Sequence, residues 1–385
     1  MYKFRAKSNT VLGLLFLLAL LALIAVENGK VDQKQEWYKE KLEAAKLCQM
    51  AAARLKSHRL EKGVFVDVVN DPNQTALIGQ EFTLITTDRG DIEAKLSSTN
   101  PNFAALIVQF LKEAGLRRND HVAVAFTGSF PALNLAVLSA LEVLGMKPII
   151  ITSVGASNFG ANDPYFTWLD MENMLVESGI FHSKSVAASI GGGSDIGRGL
   201  SPEGRDLIIK AIERNKVELI YEKHVEESIA RRLEIYRKNA GQQGIKAYIN
   251  VGGGIASLGS PVNGKLIPAG LTEFLPLHNF PAQGVIIEMG RQKVPIIHLL
   301  NINKLLQDYD LPESPVPLPE PGDGGIFSKK MYSIPTTAIA TGILVLVIVL
   351  VYISEMKHHQ LGTEIVDNDK PVDEQITDDE QEYGI

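Results

Sequence analysis

Two long uncharged runs stand near the ends of the chain, and between them apolar positions recur at short strand-like and helical intervals. The first run, residues 10–26, reads TVLGLLFLLALLALIAV; the second, residues 334–353, reads IPTTAIATGILVLVIVLVYI. A helix rises about 1.5 Å per residue, so about 20 apolar residues cross a hydrocarbon core of about 30 Å. The second run has that length, and the first covers most of it. Lys3, Arg5 and Lys7 precede the first run, which therefore reads as a signal peptide or a signal anchor. A cut after Ala25 would place Leu23 where a small residue is wanted, and no A-x-A stands nearby, so the expectation is an uncleaved anchor.

Two spans put both termini on one side, and the basic N-terminus assigns that side to the cytoplasm. The segment between the spans is then extracytoplasmic. Lys357, His358 and His359 agree with this orientation, whereas Lys329 and Lys330 oppose it.

After the first span, residues 27–69 are read as a juxtamembrane segment built on an amphipathic helix over 33–56. Cys48 falls with Ala44, Leu47, Ala51 and Leu55 on one apolar face, which predicts a buried thiol. Trp37 and Tyr38 suit either the lipid interface or packing on the domain. An extracytoplasmic domain is expected over 70–310. There HVAVAF, KPIIITS, KSVAASI and IKAYINV read as buried strands, and GVIIEMG with VPIIHLL supplies one or two more. PALNLAVLSALEVLG, SPEGRDLIIKAIERN and KHVEESIARRLEIYRKN read as helices, the second opened by Ser201 and Pro202. Alternating strands and helices predict an α/β fold, a mostly parallel, Rossmann-like sheet with helices on both faces, flanked by two transmembrane helices. Residues 311–333 are a proline-rich linker, and residues 354–385 an acidic tail too polar to build a core, expected to be disordered and cytoplasmic.

Charge changes the picture once it is located. The 385-residue chain has a formal charge of −7, and residues 357–385 carry nine acidic residues against Lys357 and Lys370. The remainder is balanced, with 36 basic and 36 acidic residues. An acidic partner is thus compatible with the domain. No basic stripe stands out, so nucleic acid is not an expected partner.

Four predicted strands run into loops of Gly, Ser and Asn, and parallel strands bring their carboxyl ends to one edge. The loops supply Thr127, Gly128 and Ser129; Ser153, Ser157 and Asn158; Gly192, Gly193, Ser194, Asp195 and Arg198; and Gly252, Gly253 and Gly254. These are the candidate ligand-binding residues. Glycines admit a close backbone approach, free N–H groups favour an anion, and Arg198 offers the fork that carboxylates match. Each loop taken singly also reads as a turn, with Ser129 and Ser201 as helix N-caps.

A nucleotide is disfavoured. Gly192, Gly197 and Arg198 have phosphate-loop spacing, but arginine replaces the lysine and Gly199 the hydroxyl residue that holds magnesium. Five residues after Gly191 stands Ile196, and five after Gly252 stands Ser257, so neither loop satisfies G-x-G-x-x-G. No cofactor is expected. Ser129, between a strand and a helix, is the candidate nucleophile, although GSFPA is not G-x-S-x-G. Asp163, Asp170, Glu172 and Asp195 are carboxylates near the loops, available for acid–base work or simply solvated. His121 and His298 read as structural, and with no H-E-x-x-H motif or Cys/His cluster no metal is expected.

Three blocks carry a family likeness. NDPNQTALIGQEFTLITTDRGDIEAKLSSTNPNFAALIV, VAFTGSFPALNLAVLSAL and SIGGGSDIGRGLSPEGR together resemble the poly-gamma-glutamate system protein family, over roughly residues 70–310 and the N-terminal anchor. The resemblance implies association with the membrane machinery that makes and exports poly-gamma-glutamate, hence membrane subunits of the synthase, the polymer or glutamate oligomers, and the lipid bilayer as partners. It brings no catalytic residue set. Three roles follow as expectations: an accessory protein binding glutamate carboxylates in the Gly/Ser cleft, a gamma-glutamyl hydrolase or transferase using Ser129 or another loop hydroxyl, or a non-catalytic scaffold for the synthase.

Overall fold

A computed structural model of the chain describes residues 9–64, 66–276 and 279–367. It divides into two units, one of the two end segments and one of residues 34–329. The described strands are β1 (Val31–Lys34), β2 (Thr86–Asp88), β3 (His121–Thr127), β4 (Lys147–Ser153), β5 (Ala156–Ser157), β6 (Ala187–Ser189), β7 (Glu218–Ile220), β8 (Ala247–Val251), β9 (Gly270–Thr272), β10 (Ile296–Leu299) and β11 (Ser328–Met331).

The end segments form two helices, Asn9–Asn28 and Ile334–Asp367, that pack on each other. Both are long and apolar enough to span a membrane. Leu14, Phe16, Leu346 and Leu350 are exposed on them, as lipid-facing side chains would be. The C-terminal helix continues to Asp367, so the expected disordered tail from residue 354 is helical over its first part; residues 368–385 lie outside the described residues.

In the larger unit seven strands form one sheet, in the order β7-β6-β4-β3-β8-β10-β9. All neighbours are parallel except β9, which runs antiparallel to β10 at the edge. The alternation in β3 explains how the sheet is covered. Val122, Val124 and Phe126 join one apolar cluster and Ala123 and Ala125 another. The first cluster takes in the helices Tyr38–Glu61, Phe103–Glu113 and Pro131–Leu144. The last of these is apolar almost all round and correspondingly buried, begins with Pro131 and stops at Gly145. The second cluster takes in Val225–Ala240 and Val285–Arg291, where Tyr236 meets Tyr248 edge-on at 6.0 Å and donates to Val124 O at 2.9 Å.

Three readings of the sequence change here, and one left open is resolved. GVIIEMG is a helix, Val285–Arg291, not a strand: its apolar residues are buried while Glu288 and Arg291, three apart, pair outside at 2.8 Å. Residues 38–61 belong to the compact unit, because Ala44, Ala45, Cys48, Ala51 and Leu55 are buried in the first cluster. Trp37 and Tyr38 pack against the same cluster. The proline-rich segment is likewise docked: Asn73 Nδ2 donates to Pro315 O at 2.8 Å, Asn102 Nδ2 to Glu320 O at 3.0 Å, and Phe327 is fully buried. The unit therefore extends past both limits of residues 70–310.

Candidate functional site

Chain order reverses beside β3: β4, β6 and β7 lie to one side, β8 and β10 to the other. At such a point the loops leaving adjacent strands diverge to opposite faces and open a crevice at the carboxyl edge. A cavity of about 710 Å³ lies here, within the range of about 300–1,000 Å³ common for small-molecule sites. The register brings the strand ends level, with Thr127 beside Ser153 and Ser153 beside Ser189.

Among the sequence-derived candidates, the cavity is lined by Thr127, Ser129, Ser153, Ser157, Gly192, Gly193, Ser194, Arg198, Gly253 and Gly254. The other four sit behind this lining. Gly128 is engaged by its backbone, donating to Ser153 O at 2.9 Å and accepting from Ala161 N at 2.7 Å. Asn158 is buried and donates its N–H to Asp88 O at 3.1 Å. Gly252 has φ +83°, and a Cβ there would meet Thr127 Oγ1 at 2.4 Å, so only glycine allows the two strand ends to lie this close. Thr127 Oγ1 then donates to Val251 O at 3.2 Å, tying β3 to β8 at the mouth of the crevice.

Asp195 is a support of the glycine loop. Ser194 and Asp195 both adopt left-handed backbone, with φ 54° and 62°, at a cost of about 1–2 kcal/mol per residue. The Asp195 carboxylate holds that turn down: it accepts from Ser189 Oγ at 2.7 Å and Ser228 Oγ at 2.6 Å and pairs with Arg232 Nη2 at 3.0 Å. Burial works against the Arg232 charge, but Asp195 prevails and raises its pKa.

The remaining carboxylates named from sequence lie away from the cavity lining. Asp170 caps its own helix through Thr167 N at 2.7 Å and pairs with Arg214. Asp163 stands 4.0 Å from Arg59, and Glu172 is buried, accepting from Ser185 N at 2.8 Å. Ser201 does cap its helix, accepting from Gly204 N at 3.0 Å, whereas the residue capping Pro131–Leu144 is Phe130, not Ser129. His298 is buried against Asn250, Nδ1 to Nδ2 3.0 Å, and burial lowers its pKa to about 4. Among the described residues no group of three or more His, Cys, Asp or Glu side chains is placed to hold a metal ion.

Sequence reasoning missed the segment 87–95, which forms another wall. Thr87, Asp88, Arg89, Gly90, Asp91 and Lys95 all line the cavity. Lys95 projects from the helix Ile92–Ser98 and is 2% exposed. Its Nζ donates to Ser129 O and, at 2.9 Å, to Ser157 Oγ, and sits 4.0 Å from the centre of the Phe130 ring. Burial lowers its pKa to about 7, against the pull of Asp91. Arg198 and Arg89 make no ion pair and no side-chain hydrogen bond among the described residues. The two acids of the wall are engaged locally: Asp91 accepts from the N–H groups of Glu93 and Ala94, and Asp88 from that of Arg89. The cavity lining thus holds two guanidinium groups without a partner among the described residues, chemistry that suits an anion, together with a serine–lysine contact.

Comparison of the chain with family profiles, with curated proteins and with solved structures finds no match in any of the three.

Proposed function

We propose that this chain is a membrane-anchored accessory protein of poly-gamma-glutamate biosynthesis or export, whose cavity holds carboxylates of the polymer or of glutamate oligomers. One observation carries the reading: Arg198 and Arg89 line a cavity of about 710 Å³ and have no acidic partner among the described residues. A guanidinium fork donates two parallel hydrogen bonds to a carboxylate, and a polymer with one carboxylate per repeat can engage two such forks at once. The likeness of residues 70–310 to poly-gamma-glutamate system proteins supports the choice of polymer. The sheet is read as Rossmann-like, with its crevice at the β3/β8 reversal used for a polyanion in place of a nucleotide. The two apolar helices are read as anchors that leave both termini cytoplasmic and present the cavity outside, beside membrane subunits of the synthase.

The test is a titration of the full chain in lipid nanodiscs with gamma-linked glutamate oligomers. Saturable binding that weakens in Arg198→Ala is expected. Binding no tighter than that of uncharged oligomers of equal length would overturn the reading.

A further inference from the structure

We infer that Ser157 and Lys95 form a nucleophile–base pair that opens and transfers an acyl group bound in the cavity. The two residues are 62 positions apart in the chain and meet at 2.9 Å, Nζ to Oγ. Both line the cavity, and both are almost completely buried, Ser157 at 8% exposure. Lys95 has no ion-pair partner among the described residues, an expensive arrangement for a charged ammonium and an inexpensive one for a neutral amine. Burial favours the amine against the pull of the Phe130 ring face, 4.0 Å from Nζ, and the loop of Gly90 closes another side. That loop comes so close that a Cβ on Gly90 would lie 2.9 Å from Ser157 Oγ and 3.2 Å from Lys95 Cε. With a pKa of about 7, Lys95 is poised to accept and return a proton near neutrality.

Ser129, the nucleophile that strand–loop–helix reasoning favours, is placed differently. Lys95 contacts its carbonyl oxygen, not its hydroxyl. Ser129 Oγ accepts from Ser157 N at 3.0 Å and keeps its own O–H as a donor for a substrate carbonyl oxygen.

The chemistry closes on itself. In the neutral amine the 2.9 Å contact reverses, Ser157 O–H donating to the Nζ lone pair, and Nζ removes that proton as Oγ bonds to the substrate carbonyl carbon. The tetrahedral adduct collapses by breaking the carbon–nitrogen bond, and the leaving amine takes the proton from the Lys95 ammonium. Water, or the amine of another chain, attacks the resulting Ser157 ester, gives its proton to Lys95, and Ser157 leaves with that proton. The substrate class, an amide whose acyl side bears a free carboxylate, rests on the binding reading above; the pair itself does not.

The experiment is labelling of the full chain in nanodiscs with a fluorophosphonate, read by intact mass and peptide mapping. One adduct on Ser157 is expected, forming faster as pH rises, with a midpoint near 7 set by Lys95. Lys95→Arg keeps a charge that does not titrate in this range and should slow labelling by about 100-fold or more, within the range for general-base assistance. Lys95→Met, which fits a buried site, should do the same, and a preserved thermal transition separates either result from unfolding. No adduct on Ser157 across about pH 5–9, or labelling indifferent to both Lys95 variants, overturns the pair. Oligomer binding without an adduct on Ser157 removes the pair and leaves the binding reading; an adduct without oligomer binding does the reverse.

Discussion

Arg232 Nη2 stands 3.0 Å from Asp195 Oδ2 in a buried ion pair, with side chains 2% and 1% exposed. Ser153, Ser189 and Ser228 complete the network, so three different elements are fastened beneath the glycine loop. Two desolvated charges gain little over two apolar side chains of the same shape, but one of them left alone is costly. Arg232→Met should therefore lower stability by about 3–5 kcal/mol in urea unfolding, because Asp195 would stay buried without its counter-charge. The same variant should loosen the loop bearing Gly192, Gly193 and Arg198 and weaken ligand binding. A loss below about 1 kcal/mol would mean that Asp195 finds solvent when Arg232 is gone.

Glu172 gives the fold a pH dependence of its own. It is fully buried, and burial raises its pKa to about 7 although the Ser185 N–H opposes the shift. The unfolded chain holds the same carboxyl near its ordinary 4.5, so between 4.5 and about 7 the folded state binds more protons. The contribution is complete below 4.5 and is lost as pH rises through about 7, amounting to about 3 kcal/mol. Glu172→Gln removes this titration. Denaturation midpoints of the variant should equal or fall below those of the parent at about pH 4.5 and exceed them at about pH 8. Parallel pH profiles for the two proteins would refute the assignment.

What could be read ahead of the fold, and what could not, follows from the range of the interactions. HVAVAF and KPIIITS are legible because a strand covered on both faces is an unbroken apolar run, and Pro131 and Gly145 mark their helix by purely local geometry. β7 and β9 are three residues each and carry no period to detect. GVIIEMG is apolar over too short a stretch to distinguish helix from strand. The convergence of Gly/Ser loops at one sheet edge follows from parallel pairing. Lys95 does not: IEAKLSS reads as an ordinary surface turn of helix, and what buries its lysine is Ser129, Phe130 and Ser157, dozens of residues away. The local hint was the company of Ala94, Ser97 and Ser98, small side chains suited to close packing.

Gly252 tests whether the crevice depends on the close approach of β3 and β8. Its φ of +83° disfavours any L side chain, and a Cβ would stand 2.4 Å from Thr127 Oγ1. Gly252→Ala should cost about 1–3 kcal/mol in backbone strain and, by displacing Thr127, break its bond to Val251 O. Gly253→Ala is the control, since its added methyl would meet nothing nearer than Leu300 Cδ1 at 3.9 Å. Equal stability losses in the two variants would show that the strand ends separate freely.

The proposed function makes Arg198 the residue on which ligand recognition turns. It is exposed at the cavity rim with no partner among the described residues, so its removal should change stability by no more than about 0.5 kcal/mol. A charge-assisted hydrogen bond to a carboxylate is worth about 1.5–3 kcal/mol, so Arg198→Ala should weaken oligomer binding by about 10- to 100-fold. Arg198→Lys keeps the charge but not the planar fork, and should fall between the two. Because the guanidinium is exposed, its contribution should also shrink as salt shortens the screening length from about 10 Å at 0.1 M to about 3 Å at 1 M. The affinity gap between parent and Arg198→Ala must therefore narrow in high salt. A gap that persists unchanged would mean that the arginine shapes the loop without touching the anion, and an absent gap would take Arg198 out of the site.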